Sequence, residues 1–179
     1  MKVLILNGNP KIEYKEFDLY VKDLKHSLES KEHETKLIML RSFQLHDCIG
    51  CYTCWLKTPG ICCFNDGIDE IIKEYLAADI VIYASPVIMN YISALLKRVN
   101  DRMLPVVHPF LTLKEDRMTH LSRYSHYPKS VFLLDKPGSS DGGSSDFIER
   151  IYRSSQRDVP KILNTKQDVE EICNEIINY

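Results

Sequence analysis

Four stretches of the chain are short and almost purely apolar: Val3-Leu4-Ile5-Leu6, Lys36-Leu37-Ile38-Met39-Leu40, Ile80-Val81-Ile82-Tyr83-Ala84 and Val131-Phe132-Leu133-Leu134. Such runs, rich in β-branched and aromatic residues and without alternation, predict strands covered on both faces. Lys161-Ile162-Leu163, after Pro160, predicts a weaker fifth strand at a sheet edge. Between these runs the apolar period changes to that of a helix. Phe17, Val21, Leu24 and Leu28 share one face with Tyr20 on its flank, while Lys15, Asp18, Lys22, Lys25 and Glu29 lie on the wet side. Ile68, Ile71, Ile72, Tyr75 and Leu76 mark a second helix, and Ile92, Leu95, Leu96, Val99 and Met103 a third, ended by Pro105. A fourth carries Phe147, Ile148, Ile151 and Tyr152, with Ser144 or Ser145 as its cap. A last one, from about Gln167, buries Val169, Ile172, Cys173 and Ile176.

Five strands alternating with five helices predict an α/β fold, a parallel sheet wrapped on both faces by right-handed crossovers. A doubly wound five-stranded sheet of order 2-1-3-4-5 has its switch point between the first and third strands. That places the loop at residues 7–15 beside the loop at residues 85–91, and the two form the expected ligand crevice. The plainer reading is that Asn7-Gly8-Asn9-Pro10 and Ser85-Pro86 only end strands. Residues 106–129 show no sustained period and carry His108, His120, Arg123, Tyr124, His126 and Tyr127, which predicts an inserted lid or interface segment.

Composition narrows the classes. The 179 residues predict a single domain over 1–179, and a net charge of -2 gives no reason to expect nucleic acid or an anionic membrane as partner. No apolar run has the length needed to cross a bilayer, and the first is too short for a signal peptide, so a cytoplasmic protein is expected. Six cysteines in such a chain point to reduced thiols or a metal centre rather than disulfides. Five fall in a cysteine-rich loop at residues 47–66, with Cys48-x2-Cys51-x2-Cys54-x7-Cys62 among them, and four thiolates in one loop are able to ligate a [4Fe-4S] cluster. Plain structural thiols in a loop pinned by Trp55 and the Thr58-Pro59-Gly60 turn are favoured over a cluster or redox-active thiols, and zinc ranks lower still. His108, His120 and His126 are too scattered for a metal site, and no metal ligand is assigned. No Ser-His-Asp order, Gly-Lys-Thr phosphate motif or Gly-x-Gly-x-x-Gly fingerprint supports acyl transfer or nucleotide hydrolysis.

Leu6-Asn7-Gly8-Asn9-Pro10-Lys11 resembles the strand-end phosphate loop of flavodoxin-like NAD(P)H-dependent FMN reductases. Ser85-Pro86-Val87, followed by Ser93-Ala94-Leu95-Leu96-Lys97 and Asp101-Arg102, is similar to that family's second flavin loop and its following helix. The stretch from Cys48 to Cys62 also resembles one found in many members, and the likeness covers residues 1–105. It implies a flavodoxin-like fold with FMN as cofactor and NAD(P)H as co-substrate. Asn9, Lys11 and Lys15 would then serve the phosphate, and Ser85, Pro86, Val87, Ile88, Met89 and Asn90 the ring and ribityl chain, through backbone groups from Val87 onward. Gly8 would permit an unusual backbone angle and close approach. The implied activity passes reducing equivalents through FMN to a small acceptor such as a quinone or free flavin. The flavin does that chemistry, so no catalytic side chain is assigned. A homodimer is implied too, with Arg123, Tyr124 and His126 toward the acceptor or the nucleotide phosphate.

The sequence departs from the family pattern in two places. The usual small hydroxyl residues of the phosphate loop fall at Lys15 and Phe17, with Glu16 between them, and the often aromatic position after Val87 is Ile88. Two alternatives therefore stand beside the reductase. One is an iron-sulfur flavoprotein electron carrier using Cys48, Cys51, Cys54 and Cys62, whose spacing resembles that of such proteins. The other is a flavodoxin-like domain with lost or altered flavin binding and no turnover.

Overall fold

The computed structural model describes residues 1–114, 117–135 and 160–179. Strand β1 (Lys2–Asn7) leads to helix α1 (Lys15–Ser30), then β2 (Glu34–Met39), a short helix α2 (Thr53–Leu56) and α3 (Ile68–Ala77). Next come β3 (Ile80–Pro86), α4 (Ala94–Asp101), β4 (Val107–Lys114), β5 (Arg117–Ser122), β6 (Lys129–Asp135), β7 (Lys161–Asn164) and α5 (Val169–Ile177). The main sheet has the order β2-β1-β3-β6-β7, parallel throughout. Counting only its own strands, this is the 2-1-3-4-5 order expected of the flavodoxin-like fold.

The apolar runs are continuous because both faces of the sheet are covered. Leu4, Leu6, Val81, Tyr83, Phe132 and Leu134 point to one side, where they pack with Ile68, Ile71 and Ile72 of α3 and Leu96 and Val99 of α4. Their neighbours Val3, Ile5, Ile80, Ile82, Val131 and Leu133 point to the other, against Phe17, Val21, Leu24 and Leu28 of α1 and Ile172, Cys173 and Ile176 of α5. One strand residue in each pair therefore feeds each core layer. Among the described residues no helix is long and apolar enough to cross a membrane.

Three expectations change. Residues 106–129 are not structureless: β4 and β5 pair as an antiparallel hairpin, a separate two-stranded sheet. Its Phe110, Leu111, Leu113 and Met118 are all exposed, so no buried face imposed a readable period. The cysteine-rich loop contains the one-turn helix α2, too short to show a period. Helix ends shift as well: α4 begins after Ser93, whose hydroxyl accepts from Leu96 N, and α5 begins after Asp168, whose carboxylate accepts from Glu170 N. The helix read from Phe147 to Tyr152 and its serine caps lie outside the described residues.

Candidate functional site

β1 and β3 are neighbours, with Asn7 at the end of β1 opposite Ala84, two residues before the end of β3, so their following loops leave the same edge of the sheet. Gly8 N donates to Ala84 O at 2.8 Å, and Ser93 Oγ donates to Gly8 O at 2.6 Å. Ser85 Oγ in turn accepts from Ser93 N at 2.8 Å. The two loops are thus fastened together at the carboxyl edge of the sheet, at its switch point. Gly8 has no positive φ, contrary to the expectation of an unusual angle. It is needed for close approach: an added Cβ would sit 2.8 Å from Leu96 Cβ.

The first loop is held from within by a carboxylate that sequence reasoning placed on the wet face of α1. Asp18 is buried, and its Oδ1 accepts from Asn7 Nδ2 at 2.9 Å and Asn9 Nδ2 at 3.0 Å. Arg41, just beyond β2, closes on the same carboxylate with Nη2 at 2.7 Å from Oδ2. Burial pushes the Asp18 carboxyl up, but these hydrogen bonds, Arg41 first and then Asn9 and Asn7, outweigh it and hold the group below its ordinary range. Asn9 also accepts from Lys11 N at 3.0 Å through its side-chain oxygen, fixing the loop's turn. Asn9 therefore shapes the loop, while Lys11 and Lys15 stand exposed at the start of α1. The first turn of that helix has no side-chain cap, since Tyr14 in the N-cap position makes no such bond. Its amides, which lack intrahelical partners, are the natural seat of an anion. The Phe17 side chain is 2% exposed and belongs to the core, so it adds nothing to that seat beyond its amide.

The second loop folds into a tight turn. Ile88 N and Tyr91 O are 2.8 Å apart, Tyr91 N and Ile88 O 3.0 Å, and Met89 and Asn90 between them take left-handed φ angles of 51° and 61°. The amides of Val87 and Ile88 are spent on Asp135 O and Tyr91 O. This narrows the expected backbone donors to Met89 and Asn90, and Met89 is 96% exposed at the mouth. Ser85 and Pro86 are buried and brace the loop from below. Asp135 was not legible as a site residue. At the end of β6 its carboxylate accepts from the hydroxyls of Tyr14 and Thr165, linking the ends of β6 and β7 to the start of α1.

The cysteine-rich loop packs on the α3 and α4 side. Cys48, Cys51, Cys54, Cys62 and Cys63 line one small recess open to solvent, with Arg102 and Phe64 in its wall. Trp55 pins the loop by donating from Nε1 to Leu104 O at 2.9 Å and to Val107 O at 3.1 Å. Arg102 is buried; its Nη1 reaches Asp66 Oδ2 at 2.6 Å and its Nη2 reaches Cys62 Sγ at 3.1 Å. Burial pushes the Cys54 thiol up. Hydrogen bonds from the Thr53 hydroxyl and amide, and then from Cys63, bring Cys51 down to about 7. All six cysteines are free thiols.

His120, His126 and Arg123 bond to backbone carbonyls. His120 Nδ1 lies 2.9 Å from His108 O, and His126 Nε2 lies 3.0 Å from Ala78 O. Arg123, expected toward a substrate, instead donates from Nε to Pro105 O at 2.9 Å and from Nη2 to Val107 O at 3.3 Å, tying the hairpin base to the domain.

Residues 1–115 match the family model described as NADPH-dependent FMN reductase. An iron-sulfur flavoprotein of Methanocaldococcus jannaschii is 37% identical over 106 residues, 59% of this chain and 53% of that protein. One of Methanosarcina thermophila is 28% identical over 119 residues, 66% of this chain and 54% of that protein. The chain thus spans about half the length of the curated relatives it matches. Among solved structures, an FMN-dependent NADH-azoreductase of Bacillus anthracis in complex with FMN superposes with a TM-score of 0.66 at 15% identity, over 98% of both chains. An NAD(P)H:quinone oxidoreductase of Methanothermobacter marburgensis gives the same score and identity, over 98% of this chain and 92% of its own. These structures share the fold; the family model, covering well over half of the chain, decides the family. With its two loops joined at the switch point of a 2-1-3-4-5 sheet, the chain belongs to the NADPH-dependent FMN reductase family.

Proposed function

We propose that the chain binds FMN in the crevice between residues 7–15 and 85–91 and uses it to move reducing equivalents from NAD(P)H to a small acceptor. The acceptor class is a quinone, a free flavin or an azo compound. The observation that carries this reading is the fastening of the two loops through Gly8, Ala84 and Ser93 at the switch point. FMN, when bound, supplies the hydride and electron chemistry. The protein's own groups fit its two ends. The uncapped first turn of α1, flanked by Lys11 and Lys15, suits the phosphate. The left-handed turn at Met89 and Asn90 presents backbone groups and an exposed apolar side chain to the ring. A homodimer is supported by the exposed Phe110, Leu111, Leu113 and Met118 of the hairpin, and cytoplasmic residence is part of the same reading.

The test is the visible spectrum of anaerobically purified protein, before and after FMN addition and gel filtration. A retained flavin spectrum that bleaches with NADPH or NADH and returns with a quinone is expected. A colourless protein that consumes neither nucleotide overturns the proposal.

A second reading, an iron-sulfur flavoprotein electron carrier, is favoured by one observation: Cys48, Cys51, Cys54 and Cys62 all line one recess. Among the described residues, however, no three Cys, His, Asp or Glu side chains are gathered so as to hold a metal ion, and no electron route is drawn through one. Iron and acid-labile sulfide after anaerobic reconstitution decide it. Four irons per chain support the carrier, and substoichiometric iron counts against it.

A further inference from the structure

Cys63 has no place in the Cys48, Cys51, Cys54, Cys62 spacing and no role in the proposed function. Its sulfur nonetheless lies 3.5 Å from that of Cys51, 12 residues earlier. Both are exposed, whereas Cys54 is buried and Cys62 takes a hydrogen bond from the buried Arg102. Bonded sulfurs lie about 2.05 Å apart, so closure needs roughly 1.5 Å of movement. Cys51 sits between Gly50 and Tyr52, both at positive φ, ahead of α2, and Cys63 follows the Gly60 turn, so neither thiol is held in a helix or strand.

We infer that Cys51 and Cys63 form a peroxide-responsive dithiol, a modification site that closes reversibly to a disulfide. One thiolate attacks an oxygen of hydrogen peroxide, breaking the O–O bond and leaving a sulfenic acid. The second thiol displaces that hydroxyl as water and forms the S–S bond. In sum, two thiols lose two electrons and two protons, and one peroxide becomes two waters. A dithiol reductant reverses the step by exchange. The inference goes beyond the flavin reading, needs no FMN, and concerns the chain free of a cluster. It has a consequence for the second reading, because a Cys51 held in a disulfide is withdrawn from the four-thiol set.

The experiment uses the reduced full chain, freed of reductant, treated with hydrogen peroxide, alkylated and digested with trypsin. Cleavage after Lys57 separates Cys51 from Cys63. A cross-link between the two peptides, lost with dithiothreitol, is expected in the parent and in Cys62→Ser and Cys54→Ser. It is expected to vanish in Cys51→Ser and in Cys63→Ser, both isosteric changes at exposed positions. A cross-link that survives in Cys63→Ser, or a parent chain that goes to sulfinic acid with no cross-link, overturns the inference.

Discussion

Ser93 donates its hydroxyl to the Gly8 carbonyl at 2.6 Å, and the same oxygen accepts from Leu96 N at 3.2 Å. One buried side chain therefore caps α4 and fastens the first loop of the crevice to the second. The site's shape and the start of a helix depend on the same atom.

Gly8→Ala tests how tight that junction is. Its Cβ would meet Leu96 Cβ at 2.8 Å, Ser93 Oγ at 3.0 Å and Ala84 O at 3.2 Å, so backbone or helix must shift. A loss of about 1–3 kcal/mol in urea unfolding is expected for such overpacking. FMN binding is expected to weaken as well. Unchanged stability would mean that the loops are not locked together.

Glu16→Gln is expected to tighten FMN binding. Glu16 lies exposed in the first turn of α1, where its charge competes with an anion for the helix end. Such an interaction is worth about 0.3–1 kcal/mol, which corresponds to roughly a two- to fivefold lower Kd at low salt. The gain should shrink in high salt. Titration of flavin fluorescence checks it, and no gain at low salt would place the phosphate elsewhere.

Asp66 is 7% and Arg102 1% exposed in their side chains, and His46 N also donates to Asp66 at 2.8 Å. Burial pushes the Asp66 carboxyl up, but hydrogen bonds from Arg102 and His46 outweigh it and hold it far below the usual range. A depressed folded-state value means stability that is fully present above the unfolded value of about 4 and is lost progressively as pH falls from there through the lower folded-state value. Asp66→Asn is expected to cost about 3–5 kcal/mol near neutral pH, because it leaves a buried guanidinium uncompensated. The gap between variant and parent should narrow on acidification below about pH 4. Urea titrations at several pH values check this, and a gap independent of pH would contradict it.

In iron-free protein, alkylation of Cys51 by iodoacetamide is expected to rise with a midpoint near 7. Hydrogen bonds from Thr53 and Cys63 favour the Cys51 thiolate, whereas the hydrogen bond with Cys51 pushes the Cys63 thiol up to about 11. Residue-resolved mass spectrometry against pH separates the two. A Cys51 midpoint in the ordinary thiol range would show that Thr53 does not act on it.

The helix expected from Phe17 to Leu28 shows both the reach and the limit of periodicity. Its apolar positions are the ones buried against Val3 and Ile5, yet Asp18, assigned to the wet face by the same pattern, is buried too. Its partners are Asn7 and Asn9 on the preceding loop and Arg41 beyond the next strand. A side chain 23 residues away leaves no periodic trace. The same holds for Asp66 and Arg102, and for Asp135, which meets Tyr14 and Thr165 only after the strands align.

The motifs at residues 6–11, 48–62 and 85–102 carry the resemblance to the family; the sequence by itself also determined the five-stranded parallel sheet and the pairing of the two loops at its switch point. Those follow from local signals: apolar runs buried on both faces, helical spacing and turn residues at strand ends. Only the tertiary structure decided that Asp18 is buried, that Gly8 serves close approach, that residues 107–122 form a hairpin, and that Cys51 meets Cys63. These depend on which distant elements come together. That is a property of packing, which short-range patterns do not encode.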